Sequence, residues 1–113
     1  MSHVDLLIRQ RCEEMINYAY VAIRHFPKFE RHVLGAEIRA TLWSLLRNVI
    51  VCNKRYHKKT TLTDLDAELD VLRAQVRVSY DLRYIDQKKY ENWSRTNDEI
   101  GRMLGGWIKS QRE

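Results

Sequence analysis

Apolar residues recur along the chain at alternating steps of three and four, the spacing of one face of an α-helix. Ile8, Cys12, Met15, Ala19, Ala22 and Phe26 form a first such stripe, predicting a helix over roughly 4–25. It must stop at Pro27, because proline disfavours helical backbone at the residue before it. Leu34, Ile38, Leu42, Leu45, Val49, Cys52 and Tyr56 make a second stripe, predicting a helix over roughly 28–56. A polar loop from His57 to Thr61 follows. Thr63 is then a candidate N-cap for a third helix over roughly 63–84, with Asp64 and Asp66 in its first turn and Leu65, Leu69, Leu72 and Val76 on its stripe. Asp86 is a candidate cap for a fourth helix over roughly 87–110, on the stripe Tyr90, Trp93, Asn97, Ile100, Leu104 and Trp107.

Four helices of similar length with short connections predict an all-α fold, an antiparallel up-down-up-down four-helix bundle. The 113 residues suffice for one such domain, 1–113, and not for two. With one proline and four glycines, the chain lacks the tight turns that an all-β fold needs. No apolar run reaches the ~18 residues of a membrane span. Residues 1–11 lack the basic-then-apolar build of a secretion signal, so a cytoplasmic location is expected. Cys12 and Cys52 fall on apolar faces without CxxC spacing and read as reduced, buried thiols.

Charge changes the picture locally. The formal net charge is +5, which favours anionic partners, nucleic acid first. Its distribution matters more: no acid occurs from Ile38 to Thr63, a stretch holding Arg39, Arg47, Lys54, Arg55, Lys58 and Lys59 with His57 beside them. Arg39, Trp43, Arg47, Val51, Arg55 and Lys59 follow at steps of four, a slowly drifting row away from the apolar stripe. None of these bases has an acid three or four residues away, so local pairing cannot neutralise them. A cationic row with an interleaved aromatic suits a phosphate backbone. The competing reading is a solvated face quenched by Asp64, Asp66, Glu68 and Asp70 of the next helix. Elsewhere Asp70/Arg73, Arg77/Asp81, Glu91/Arg95 and Asp98/Arg102 stand at helical pairing distance and read as structural.

Trp43, Val51, Val71 and Val78 lie off the core stripes, an apolar surplus of the kind that marks an association surface. Gly101, Gly105 and Gly106 sit within six residues on the fourth helix, where each glycine costs about 1 kcal/mol relative to alanine. They predict either close approach of another backbone or a helix end at Gly105. No Gly-rich phosphate loop, HExxH, metal-spaced Cys/His cluster or paired nucleophile and base is present. His3, His25, His32 and His57 are scattered and read as surface or capping residues, and no arginine stands four to six residues before His25 or His57. No catalytic residue, metal or cofactor is expected.

The run Phe26-Pro27-Lys28-Phe29-Glu30-Arg31-His32-Val33-Leu34-Gly35, continuing to Ile38-Arg39, resembles the corner of four-helix-bundle proteins that include those encoded in 23S rRNA intervening sequences. Phe29 stands where that pattern has a small polar residue. The run Glu99-Ile100-Gly101-Arg102-Met103-Leu104-Gly105-Gly106-Trp107-Ile108 resembles the end of the accessory variability determinant (Avd) proteins of diversity-generating retroelements. The resemblance implies a homopentameric, ring-like barrel of four-helix protomers without a catalytic centre. It implies reverse transcriptase as partner, together with template RNA and cDNA, in mutagenic retrohoming. Gly101, Gly105 and Trp107 match the terminal motif and are expected at assembly positions, alongside Trp43 and Val51. The nucleic-acid row Arg39, Arg47, Lys54, Arg55, Lys58 and Lys59 comes from charge alone. Alternatives are an rRNA intervening-sequence protein that binds nucleic acid, a purely structural helical oligomer, and a helical nuclease.

Overall fold

The computed structural model describes residues 3–111. The ends of the expected domain and the His3 side chain lie outside what it describes. Its helices are α1 (His3–Ile23), α2 (Leu34–Lys54), α3 (Lys59–Asp81) and α4 (Gln87–Ser110), with a short 3-10 turn at Lys28–Glu30; no strand occurs among the described residues. Each helix packs on the next and α4 closes onto α1, enclosing one core. Polar contacts between helices descend in register. Arg11 and Tyr18 of α1 meet Glu99 and Lys89 of α4, while Thr41 and Asn48 of α2 meet Gln75 and Glu68 of α3.

The expected stripes supply the core. Ile8, Cys12, Met15, Ala19 and Ala22 bury against Ile38, Leu42, Leu45, Val49 and Cys52 from α2, Leu65, Leu69, Leu72 and Val76 from α3, and Trp93, Ile100, Leu104 and Trp107 from α4. Each large apolar side chain so buried contributes roughly 1.5–3 kcal/mol. Tyr18 meets Trp93 edge-on at 5.9 Å. Burial also pushes the Cys12 thiol up to about 12, with a smaller push from Glu13, so it stays protonated.

α1 ends at Ile23, two residues before the expected limit, as the chain turns into Pro27. The expected start of the second helix at Lys28 is wrong. Lys28–Glu30 is only a 3-10 turn, and α2 begins at Leu34. That corner is closed by side chains: Arg31 Nε donates to the Phe26 carbonyl at 3.1 Å, and Arg39 Nη2 to the Arg31 carbonyl at 3.1 Å. Gly35 permits the approach, since a Cβ there would lie 2.8 Å from Ile23 Cγ2.

Tyr56 is also corrected. It lies beyond the end of α2, 91% exposed, and does not continue the stripe. α3 starts at Lys59 and not at Thr63. Thr63 is inside the helix, where its hydroxyl donates to the Lys59 carbonyl at 2.9 Å. The reason is packing: Thr61 and Leu62 are both buried and extend the apolar face by a turn. α3 stops at Asp81 in a Schellman arrangement, with Tyr84 N–H reaching Ser79 O at 2.8 Å and Arg83 at φ 64°. Asp86 caps α4 as expected, accepting from the Lys89 N–H at 2.8 Å. That bond, ahead of the Lys89 charge, holds its carboxyl below the usual range.

The glycine-marked helix end at Gly105 is not found; α4 runs on to Ser110.

Candidate nucleic-acid interface

The steps of four that linked Arg39 to Lys59 assume one continuous helix. The structure breaks the row at Arg55, which is extended (φ −87°, ψ 145°) and caps α2 through its backbone N–H to Val51 O and Cys52 O. Arg39, Trp43, Arg47, Val51 and Lys54 lie on α2, Arg55 to Lys58 form the corner, and Lys59 opens α3.

The six nominated bases divide by what their donors do. Arg39 is at the far end, bonded to the Arg31 carbonyl and stacked 5.9 Å from the Tyr20 ring. Lys58 is half-buried, and its ammonium donates to the carbonyls of Cys52 at 2.9 Å, Asn53 at 3.3 Å and Arg55. It neutralises the carbonyl end of α2, where the helix dipole favours a cation. Lys58 spends all three donors on carbonyls, and the half-buried Arg39 guanidinium is held between a carbonyl and a ring. Arg47, Lys54, Arg55 and Lys59 are exposed. Arg55 uses one donor on the buried Thr61 hydroxyl at 2.9 Å, leaving most of its fork available.

Among the described residues, no carboxylate pairs with Arg47, Lys54, Arg55 or Lys59. The four acids that could have quenched them are elsewhere. Asp70 binds Arg73 at 2.9 Å, Glu68 accepts from Asn48 at 3.5 Å, and Asp64 and Asp66 are exposed. Arg73 also reaches Asp98 at 3.7 Å in place of the Asp98/Arg102 pair expected from spacing. Glu91 likewise accepts from Gln87, and Arg95 donates to Asn92.

Sequence reasoning missed the aromatic pair in the same corner. Tyr56 lies edge-on to His57 at 4.8 Å. Its signal was available: an aromatic next to Arg55 with no helix left to bury it. A cleft of about 280 Å³ lined by Lys59, Leu62, Thr63, Ile108 and Gln111 opens beside Lys59. The corner therefore offers cations, an exposed ring and a partly apolar recess, the groups that grip a single-stranded polyanion.

The nominated assembly positions separate too. Trp43 is half-exposed, its indole N–H donating to Tyr20 Oη at 2.9 Å, and Val51 is half-buried. Trp107 lies in the protomer's own core. Gly101 is covered from within the protomer, since a Cβ there would meet Arg73 Nη2. Gly105 has nothing within 4 Å of such a Cβ. Among the described residues no cluster of three His, Cys, Asp or Glu could hold a metal, and no helix is long and apolar enough to cross a membrane. A larger cleft of about 620 Å³ at the other end is lined by His25, Tyr80, Arg83, Tyr84 and Lys89, among others.

No curated protein matches the chain. A family model described as bAvd-like matches residues 6–111, a span that takes in both sequence motifs, most of α1, all of α2 to α4 and the cationic corner. The chain belongs to the bAvd-like family.

Proposed function

We propose that this protein is a non-catalytic accessory protein of a diversity-generating retroelement that holds template RNA and its cDNA beside a reverse transcriptase. The nucleic acid is gripped at the α2–α3 corner by Lys54, Arg55 and Lys59, with Tyr56 as a stacking surface. The protomer is an up-down-up-down antiparallel bundle, a topology supported by the descending contacts between helices. Protomers assemble into a ring-like homo-oligomer in the cytoplasm, five copies on the resemblance to Avd proteins.

The observation that carries the binding reading is electrostatic. Three exposed cations share one corner, and the acids Asp64, Asp66, Glu68 and Asp70 further along α3 leave them unpaired. Unpaired cations on a surface lose little solvation when they meet phosphates, and each contact releases condensed counterions.

Fluorescence anisotropy of a labelled single-stranded RNA across a salt series tests this. Log affinity should fall linearly with log salt, by about 0.7 per phosphate contacted. Lys54→Gln/Arg55→Gln/Lys59→Gln should weaken binding on the order of 100-fold at ~0.1 M salt and flatten the slope by about 2. Wild-type slope and affinity in the triple variant would remove the corner as the contact.

A further inference from the structure

The cleft of about 620 Å³ lies at the end of the bundle away from Lys59, where the α3–α4 corner meets the end of α1. Its volume is that of a small-molecule site, roughly 300–1,000 Å³. Its aromatic walls are held in place. Tyr80 lines it and is stacked on Tyr90, with ring centroids 4.5 Å apart and planes 12° from parallel. Tyr84 is fixed by its hydroxyl bond to Glu30 at 2.9 Å, and the buried Ile85 follows it in the lining. Side chains already held this way lose little rotamer freedom when a ligand arrives.

Two of the lining charges satisfy one another. Asp86 accepts from the Lys89 N–H at 2.8 Å, and its other oxygen lies 3.6 Å from the Lys89 ammonium. Asp81 and Arg83 do not. They stand two residues apart on the same cleft, both exposed, and among the described residues neither forms an ion pair. Arg77, the partner expected four residues before Asp81, is not joined to it either. His25 adds an exposed imidazole. An acid and a base that share a cleft without pairing are open to different parts of one ligand.

Arg83 is also the wrong residue for its backbone. At φ 64° it holds the left-handed position that closes α3, where glycine is free and an L side chain is strained. Strain kept at a residue that lines a cleft points to a use for its side chain.

We infer that this cleft binds a guanine mononucleotide. The base lies against the tyrosines, its adjacent N1–H and 2-amino groups donate to the two Asp81 oxygens, and the Arg83 fork and His25 take the phosphate. Each group selects. Tyrosine faces favour a planar base. A carboxylate with two accepting oxygens suits guanine, because adenine, cytosine and uracil do not present two neighbouring donors on that edge. The guanidinium fork matches phosphate with paired bonds. Asp81 and Asp86 make the cleft a poor seat for a long polyanion, so it is separate from the α2–α3 corner and does not depend on the RNA reading.

Isothermal titration with guanosine monophosphate (GMP) tests it. The wild type should bind with a dissociation constant below about 1 mM. Arg83→Gly should bind at least about 10-fold more weakly while unfolding at higher urea than the wild type, so that lost affinity is not lost structure. Inosine monophosphate, which lacks only the 2-amino group, should bind at least about 10-fold more weakly than GMP, and Asp81→Ala should abolish that preference. Displacement of GMP by a short RNA with a 5′-phosphorylated guanosine, but not by its 5′-hydroxyl form, assigns the nucleotide to a strand end; no displacement by either assigns it to the free molecule. Absence of binding up to about 10 mM GMP, or undiminished affinity in Arg83→Gly, overturns the site. Equal affinity for the guanine and inosine nucleotides overturns the Asp81 contact. Affinity lost in Lys54→Gln/Arg55→Gln/Lys59→Gln and kept in Arg83→Gly would move the nucleotide to the α2–α3 corner.

Discussion

At the corner between α1 and α2, arginine side chains are turned onto the backbone. Arg31 holds the Phe26 carbonyl, Arg39 holds the Arg31 carbonyl, and the neighbouring α3–α4 corner is tied in by Tyr84 Oη donating to Glu30 at 2.9 Å. At the corner between α2 and α3 one cation, Lys58, does all the carbonyl capping, and Lys54, Arg55 and Lys59 are left in solvent. The residue types are the same at both places. What differs is whether the backbone has already claimed the donors, and only unclaimed donors can recognise a ligand. Net charge is blind to this difference, which decides where a polyanion can sit.

The largest expected effect on the tied end comes from Gly35→Ala. With a Cβ placed 2.8 Å from Ile23 Cγ2 and 3.5 Å from the Glu30 carbonyl, the variant should lose about 1–3 kcal/mol by urea denaturation. Its RNA salt slope should stay at the wild-type value, because the strain is remote from the open corner. Lys58→Met sharpens the comparison within the open corner itself. It should lose about 0.5–1 kcal/mol of stability, as a helix end without its cation does, while the slope of RNA binding remains. A slope that drops as much as for Lys59→Gln would break the division between capping and binding cations. The smallest effect is a gain. Arg83 holds a left-handed conformation (φ 64°) that glycine adopts freely, so Arg83→Gly should raise stability by about 0.5–1 kcal/mol in the same assay.

The extent of α4 was legible in the sequence, because an aspartate cap and an unbroken stripe both act locally, though the partners of its charged residues were not. The boundaries of α2 and α3 were not. Nothing in Lys28–Val33 breaks a helix by propensity; the 3-10 turn there goes with tertiary contacts, Phe26 against Tyr84 with ring centroids 5.4 Å apart and the arginine bonds across the corner. Thr61 reads as polar loop until Leu62 beside it is seen to be buried. The site was legible as composition and illegible as geometry. An acid-free stretch points to a cationic surface, but folding back the chain at Arg55 decides that Lys58 faces carbonyls while Lys59 faces water. Trp107 shows the same limit, since its place in a family-like motif says nothing of whether it faces the core or a neighbour.

Matched charge removal at the two ends tests the central claim most directly. RNA anisotropy over a salt series would compare Lys54→Gln/Lys59→Gln with Arg31→Gln/Arg39→Gln, two positive charges deleted in each. The account predicts that the first pair flattens the slope by about 1.4 and that the second leaves it unchanged. Equal flattening by both pairs would mean that overall charge, and not the open corner, holds the nucleic acid.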